Sequence, residues 1–317
     1  MKILITGGGG FIGSRLAHAL QARHPDARIR LLDVGFPPGL PAAFECMTGD
    51  VASPEVIARA LGGDTDTVFH LAAVVSGGAE ADFDLGYRVN LDGTRALLEA
   101  CRKLPKPPKF VFASSVAAFG GVMPEVLDDA TTPAPQTSYG TQKVIGEYLV
   151  ADFTRKGMID GRSMRLPTIV VRPGKPNLAA SSFASGIIRE PLAGQPSECP
   201  VPETTGVWIL SPRRVVEAFV HAWELPSSAW PTTRVVNLPG ITLTVREMID
   251  AMGRVAGREA VERVTFKPDA RIQGIVKTWP VRFRTERALA MGFAADTDFD
   301  SIVRDHLENE KRRAVPA

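Results

Sequence analysis

The chain has 317 residues, 44% hydrophobic and 23% charged, with 37 Lys and Arg against 35 Asp and Glu and a formal net charge of +2. That is enough apolar content for one large domain or two modest ones, while the interspersed charges lack the basic stripe that nucleic-acid binding requires. Cys46, Cys101 and Cys199 are too few and too scattered for a disulfide framework or a zinc site, no apolar run approaches the roughly 18 residues of a membrane span, and Met1 and Lys2 run directly into an apolar strand without a signal-like start. A cytoplasmic protein with no metal, no membrane partner and no nucleic-acid partner is expected.

In chain order, KILIT reads as a strand, followed by a helix after Phe11, the strand RIRLLD, a third strand before Asp50 and a helix near Pro54 to Leu61. Then come the strand TVFHLA, a long helix around Leu85 to Arg102, the strand KFVFASS, a helix from about Tyr139 to Lys156 and a strand through Arg165 to Val171. Such alternation predicts an α/β fold, a doubly wound parallel sheet of Rossmann type with helices on both faces. From Gly174 to Pro231 prolines, serines and glycines break the periodicity. RVVNL near Val235 resumes it as a late strand, a helix follows over Val245 to Ala256, and irregular chain from Glu262 leads to a last helix near Asp300 to Lys311. The expected division is a dinucleotide-binding domain over 1–174, with late sheet elements from about 207–257, and a smaller irregular substrate-binding part over 175–206 and 258–317.

TGGGGFIG places Gly7, Gly10 and Gly13 between the first strand and the first helix, where backbone must approach a pyrophosphate closely and the helix N-terminus offers unpaired N–H groups. A plain glycine-rich turn is the alternative. Asp33 ends the second strand about twenty residues beyond Gly13, where a carboxylate accepts hydrogen bonds from ribose hydroxyls and repels a 2′-phosphate; with no arginine directly after it, NAD is expected over NADP. A turn cap is the bland reading of Asp33. Asp50 in TGDV suits the adenine amino group or, equally, a turn.

Two of the three tyrosines lie in TSYGTQKVIGEYLVADF, and Tyr139 stands four residues before Lys143. Chance produces such a spacing about one time in ten in a chain of this make-up, so context decides. Thr137 or Ser138 can cap a helix starting near Tyr139, and positions four apart share a helical face. A tyrosine acting as base near neutral pH must fall by roughly three units, about 4 kcal/mol, and an ammonium at about 5 Å supplies some 3 kcal/mol at an effective dielectric of about 20. Ser115 follows KFVFASS at the carboxyl end of the sheet, beside the crevice where ligands of such folds bind; a plain strand-end hydroxyl at Ser114 or Ser115 is the alternative. His70 is expected to pack or cap at its strand end.

TGGGGFIG, Asp33, FVFASSVAAFGG and SYGTQK together resemble the extended short-chain dehydrogenases/reductases, the NAD-dependent epimerase/dehydratase family, over essentially the whole chain. The resemblance implies pyrophosphate binding at Gly7, Gly10 and Gly13, substrate hydroxyl chemistry at Ser115 and Tyr139, and nicotinamide-ribose binding at Lys143. It also implies cofactor contacts from Phe11, Ile12, Val51, Leu71, Ala72, Ala73, Asn90 and Pro167, and a homodimer formed by the helices of Leu85 to Arg102 and Tyr139 to Lys156. Phe119, where many relatives carry tyrosine, and SPRRVV at Ser211 to Val216, where sugar-nucleotide enzymes commonly carry acids, depart from the pattern. SYGTQKVIGEYLVADFTRKG, RLPTIVVRPGKPNLAASSFASGIIREPLAG and the following CPV look most like the branch that oxidises D-erythronate, a four-carbon aldonic acid, at C2 to the 2-oxo-tetronate with NAD.

A sugar-acid substrate needs a cation or amides for its carboxylate and hydrogen-bonding groups for its hydroxyls. Ser76, Lys175, Asn177, Ser185, Arg189 and Arg213 are the candidates, with Arg189 first for its bidentate fork and an ordinary surface arginine as the alternative. The competing functions are an NAD-dependent sugar-nucleotide epimerase and a non-catalytic NAD-sensing regulator. An intact Ser115, Tyr139 and Lys143 set disfavours the latter, because a sensor has no use for an activated phenol.

Overall fold

The structure, a computed structural model, describes residues 1–174 and 179–314. The chain runs β1 (Lys2–Thr6), α1 (Phe11–Arg23), β2 (Arg28–Asp33), β3 (Glu45–Thr48), α2 (Pro54–Leu61), β4 (Thr67–His70), α3 (Ser76–Ala81), α4 (Phe83–Gly86), α5 (Gly93–Cys101), β5 (Lys109–Ser115), α6 (Ser138–Arg155) and β6 (Asp160–Leu166). It continues through β7 (Thr168–Ile169), α7 (Ser182–Leu192), β8 (Ser197–Cys199), β9 (Gly206–Leu210), α8 (Pro212–Glu224), β10 (Val235–Asn237), β11 (Ile241–Thr244) and α9 (Val245–Ala256). The last elements are α10 (Arg258–Glu262), β12 (Val264–Phe266), α11 (Ala270–Val276), α12 (Glu286–Ala290) and α13 (Phe299–Ala314).

Two compact units emerge. The first comprises Met1–Phe119, Thr132–Leu166 and Val215–Asn237, and the second Gly120–Thr131, Pro167–Arg214 and Leu238–Ala317. In the first, seven parallel strands lie in the order β10-β6-β5-β4-β1-β2-β3. The chain winds outward from β1 through β2 to β3, then crosses back to β4 and winds the other way, so the order reverses between β1 and β4. Loops diverge from such a reversal and leave a crevice at the carboxyl ends of the strands. β4 is buried at all four residues and β5 at five of its seven, which explains their near-continuous apolar sequence. Leu98, Phe110, Phe112 and Val150 join α5, β5 and α6 in one core cluster.

The second unit holds a three-stranded sheet, β11-β9-β7, and a two-stranded one, β12-β8. Its core gathers Ile187 and Ile188 of α7, Ile209 of β9, Met248 and Met252 of α9 and Val303 of α13.

Several expectations need correction. The strand expected from Arg165 to Val171 is two: β6 stops at Leu166, and β7 pairs with β9 in the other sheet. Pro167 stands between them and has no N–H to continue a ladder. Of the late elements expected over 207–257, only β10 joins the large sheet, whereas β9 pairs with β7 and β11. A short buried run such as GVWIL does not encode its partner. The segment read as irregular contains α7 and α8; in α8, Val215, Val216, Phe219, Val220 and Trp223 form a buried stripe whose helical period the flanking prolines mask in the sequence. The long helix over Leu85 to Arg102 is α4 and α5 joined by a π-helical turn at Tyr87–Asp92.

Candidate functional site

Thr6, Asp33, His70 and Ser115 end β1, β2, β4 and β5, so the first unit places the last three, all singled out in the sequence, along one sheet edge with Thr6. Directly after β1 the chain turns at Gly7, whose φ is +72, and the Gly7 amide donates to the Leu32 carbonyl at 2.8 Å. A Cβ on Gly13 would stand 2.2 Å from the Gly7 carbonyl oxygen, and one on Gly9 2.2 Å from the Gly35 oxygen. The loop is therefore built as bare backbone, as a diphosphate cradle requires. Gly10, the N-cap of α1, has no side-chain cap among the described residues, and no acid occupies the first turn. Phe11 and Ile12, both half-buried, open that turn, and its uncapped N–H groups with the helix dipole suit an anion.

Asp33 is half-buried and already bound to this loop: Oδ2 accepts from the Gly9 amide at 3.0 Å and Oδ1 from Val34 at 2.7 Å. A carboxylate has about four acceptor positions, so two remain for ribose hydroxyls. Uncapped helix, bare loop and acceptor carboxylate together fit a dinucleotide. At Asp50 the turn reading holds, since Oδ1 accepts from Ala52 N at 2.8 Å. Oδ2 pairs with Arg88 Nη1 at 2.5 Å. Burial alone would raise this carboxyl, but the Ala52 amide and the Arg88 guanidinium hold it below the usual range. Val51 is buried beside Gly93.

His70 is 1% exposed and lies between Thr6 Oγ1, 2.6 Å from Nδ1, and Thr94 Oγ1, 2.8 Å from Nε2. Thr94 donates its own proton to the Asn90 carbonyl at 2.6 Å, so it accepts from His70, and the network assigns the His70 proton to Nε2. Thr6 then donates to Nδ1 and accepts from the Ala72 amide at 3.3 Å. Burial, helped by the Lys143 charge, pushes the imidazole down to about 3, so it stays neutral. Its part is to hold the loop Leu71, Ala72, Ala73. Asn90 has the same office: Oδ1 accepts from Val74 N at 2.7 Å, while Nδ2 donates to the Val74 carbonyl at 3.0 Å and to Gln142 Oε1 at 2.7 Å. Asn90, the expected cofactor contact, thus clamps this loop with both amide protons, while Oδ1 keeps a second acceptor position. Ser76, half-buried, opens α3.

α6 begins where expected. Thr137 is the cap, accepting from the Gly140 amide at 3.1 Å, while Ser138 donates its amide to Glu80 Oε1 at 2.5 Å. A Cβ on Gly140 would meet the Ala117 carbonyl oxygen at 2.1 Å, and one on Gly146 would meet Phe112 Cζ at 2.7 Å. These two glycines let α6 lie directly on β5 and on the turn after Ser115. Half-buried Tyr139 stands on that face, and Lys143 Nζ lies 5.5 Å from its ring centroid and 4.8 Å from that of Phe112. Burial drives the Lys143 ammonium down to about 8, with the Glu147 charge opposing the fall. Ser115 Oγ accepts from Ala117 N at 3.1 Å, leaving its O–H to donate. Ser114, the alternative, is buried and donates to Glu147 Oε1 at 2.5 Å. Glu147, Arg165 and the two glycines escaped the sequence reading; a carboxylate one turn beyond Lys143 was the visible signal.

Three of the substrate-side candidates, Ser185, Arg189 and Arg213, lie in the second unit. Ser185 is 1% exposed and accepts from Arg172 N at 3.0 Å. The fork of Arg189, the first candidate for the substrate carboxylate, is engaged within the chain: Nη1 donates to the Arg172 carbonyl at 2.7 Å and Nη2 to Glu190 Oε1 at 2.5 Å. An adjacent acid competes for the charge a substrate would need. Arg213 Nε pairs with Asp305 at 2.8 Å, and Nη2 lies 3.7 Å from Asp296. Pro167 is buried at the start of this unit. Lys175 and Asn177 lie outside the described residues. Among those described, no group of three or more His, Cys, Asp or Glu is placed to hold a metal, and no helix is long and apolar enough to cross a membrane.

Residues 3–228 match the NAD dependent epimerase/dehydratase family. The chain is 53% identical over 98% of its length to a D-erythronate dehydrogenase of Cupriavidus necator, 98% of which is covered, and 44% identical over 97% of its length to one of Haemophilus influenzae, 99% of which is covered. A crystal structure described as a nucleoside-diphosphate-sugar epimerase from Agrobacterium tumefaciens superposes with a TM-score of 0.91 at 40% identity, covering 98% of this chain and 95% of that one. With NAD as its cofactor, the protein is an oxidoreductase acting on a CH–OH group. A nucleotide loop shaped for bare backbone, a doubly wound sheet and matches spanning the whole chain lead to one conclusion: the chain belongs to the NAD dependent epimerase/dehydratase family.

Proposed function

We propose that this protein oxidises the C2 hydroxyl of D-erythronate to the 2-oxo-tetronate, with Ser115, Tyr139 and Lys143 as the catalytic set. The observation that carries the reading is 53% and 44% identity, over nearly the whole chain, to two D-erythronate dehydrogenases. The site supports it: Gly140 allows the helix face bearing Tyr139 and Lys143 to lie on the segment that follows Ser115. NAD, when bound, accepts the C2 hydrogen with its electron pair. Tyr139, as the phenolate, takes the proton of the same hydroxyl through Oη. Ser115, whose Oγ is fixed by the Ala117 amide, donates to the substrate oxygen and orients it. Lys143 favours the phenolate by its charge and holds the nicotinamide ribose. The protein works in the cytoplasm as a homodimer.

The substrate carboxylate requires a cation. Arg189 would serve by exchanging Glu190 for the substrate, and Arg213 by releasing Asp305. An epimerase reading keeps some support from the Agrobacterium tumefaciens structure. One assay separates them: purified protein with NAD and D-erythronate should accumulate NADH, erythritol should give less than about a hundredth of that rate for want of the acid group, and nucleoside-diphosphate sugars should be left unaltered. Epimerised sugar nucleotide without net NADH would replace the dehydrogenase reading, and equal rates with erythritol and erythronate would remove the carboxylate from it.

A further inference from the structure

Glu147 lies one helical turn beyond Lys143 and two beyond Tyr139, so the three share a face of α6. It is 3% exposed, and both carboxylate oxygens are engaged by other elements. Oε1 accepts from the Ser114 hydroxyl at 2.5 Å and from Arg165 Nε at 2.9 Å; Oε2 accepts from Arg165 Nη2 at 2.7 Å. Ser114 immediately precedes Ser115 on β5, and its Cα partner in the parallel ladder is Arg165 of β6. The Arg165 guanidinium lies 4.7 Å from the Phe119 ring centroid and donates to Asn237 Oδ1 at 3.4 Å. A buried ion pair is a poor device for stability alone, because desolvation of both charges offsets most of their attraction. Apolar packing would join these elements at less cost, so the carboxylate needs another reason.

We infer that Glu147 is a positioning residue for the reaction: it ties the strand end that presents Ser115 to the helix face that presents Tyr139 and Lys143. The inference rests on the catalytic reading of those three residues. Its charge matters as well as its bonds. The groups facing Lys143 are Tyr139 and Glu147 on its own helix, the Phe112 ring from β5 and His70 from β4, the last neutral. Arg165 engages both carboxylate oxygens of Glu147. Glu147 is the negative charge among them, and it opposes the discharge of a fully buried ammonium.

The test compares two single variants. Ser114→Ala cuts the tie to β5 and keeps the charge. Glu147→Gln keeps the volume and removes the charge. Both should lower kcat, Glu147→Gln by about tenfold or more, with the KM for NAD within about twofold of wild type. In Glu147→Gln alone, the alkaline limb of log kcat against pH should move down by about one unit, because Lys143 loses its proton earlier. An unmoved limb, with a loss matching that of Ser114→Ala, would reduce Glu147 to a structural partner of Arg165 and overturn the inference. Should Glu147→Gln fail to fold, Glu147→Gln with Arg165→Met removes both buried charges, and the limb should still move down, by less than in the single variant because a cation leaves with the carboxylate. Tyr139→Phe, run in parallel, keeps the outcomes distinct. Near wild-type turnover there overturns the catalytic reading itself, whereas an inactive Tyr139→Phe beside an unmoved limb overturns only the role of Glu147.

Discussion

Lys143 carries a charge in a place that disfavours charge. Burial lowers its ammonium to about 8, while an unfolded lysine titrates near about 10.4. The sign follows from linkage. Below the folded value both states are protonated and the folded state bears the whole cost. As pH rises from about 8 towards 10.4 the folded protein releases the proton first, and the cost fades. Lys143→Met should therefore raise the Tm of the ligand-free protein at pH 7, by up to about 3 kcal/mol of stability, and the gap to wild type should close towards pH 10 while turnover is lost at every pH. Calorimetry across that range checks it; a lower Tm at pH 7 would contradict the buried-charge account. If the half-buried carboxylate of Asp33 meets the ribose, NAD should be favoured over NADP by at least about tenfold in kcat/KM, and Asp33→Ser should narrow the ratio. Equal use of both cofactors by the wild type would mean that Asp33 only anchors Gly9.

At the scale of elements, the decisive contact is between the first turn of α6 and the turn after β5. Gly140 permits it, a Cβ there meeting the Ala117 oxygen at 2.1 Å. Alanine is a better helix former than glycine by about 1 kcal/mol, so on propensity alone Gly140→Ala would stabilise α6. The clash should win where it matters, displacing Tyr139 from Ser115 and lowering kcat by about tenfold or more with little change in far-ultraviolet circular dichroism. Unchanged turnover would show that the two elements have room to spare. The opposite lesson comes from Pro167, a single residue that ends β6 and lets β7 start in another sheet.

The scale of the whole molecule is that of assembly. Tyr148 is 65% exposed on α6, an unusually bare aromatic for a helix whose other face carries the candidate site. If α5 and α6 form the homodimer contact, Tyr148→Glu places a charge in it, and light scattering during size-exclusion chromatography should give about half the wild-type mass. A wild type that already elutes with the mass of a single chain would remove the dimer from the account.

Legibility differed by kind of signal. The glycine loop, Asp33, Ser115 and the Tyr139 and Lys143 pair were visible because local steric rules and a helical period of four residues are written in consecutive positions. So were the alternating strands and helices of the large sheet. Glu147, Arg165 and Ser114 were not, although all three are ordinary letters in segments correctly read as helix and strand, because their meeting depends on how α6, β5 and β6 stack. Which sheet takes β9 was equally hidden, and so was the engagement of Arg189 by Glu190 and the Arg172 carbonyl. Periodicity says which face of an element is apolar. It does not say which polar group the next element will bring against that face, and a buried charge finds its partner only after the chain has folded around both.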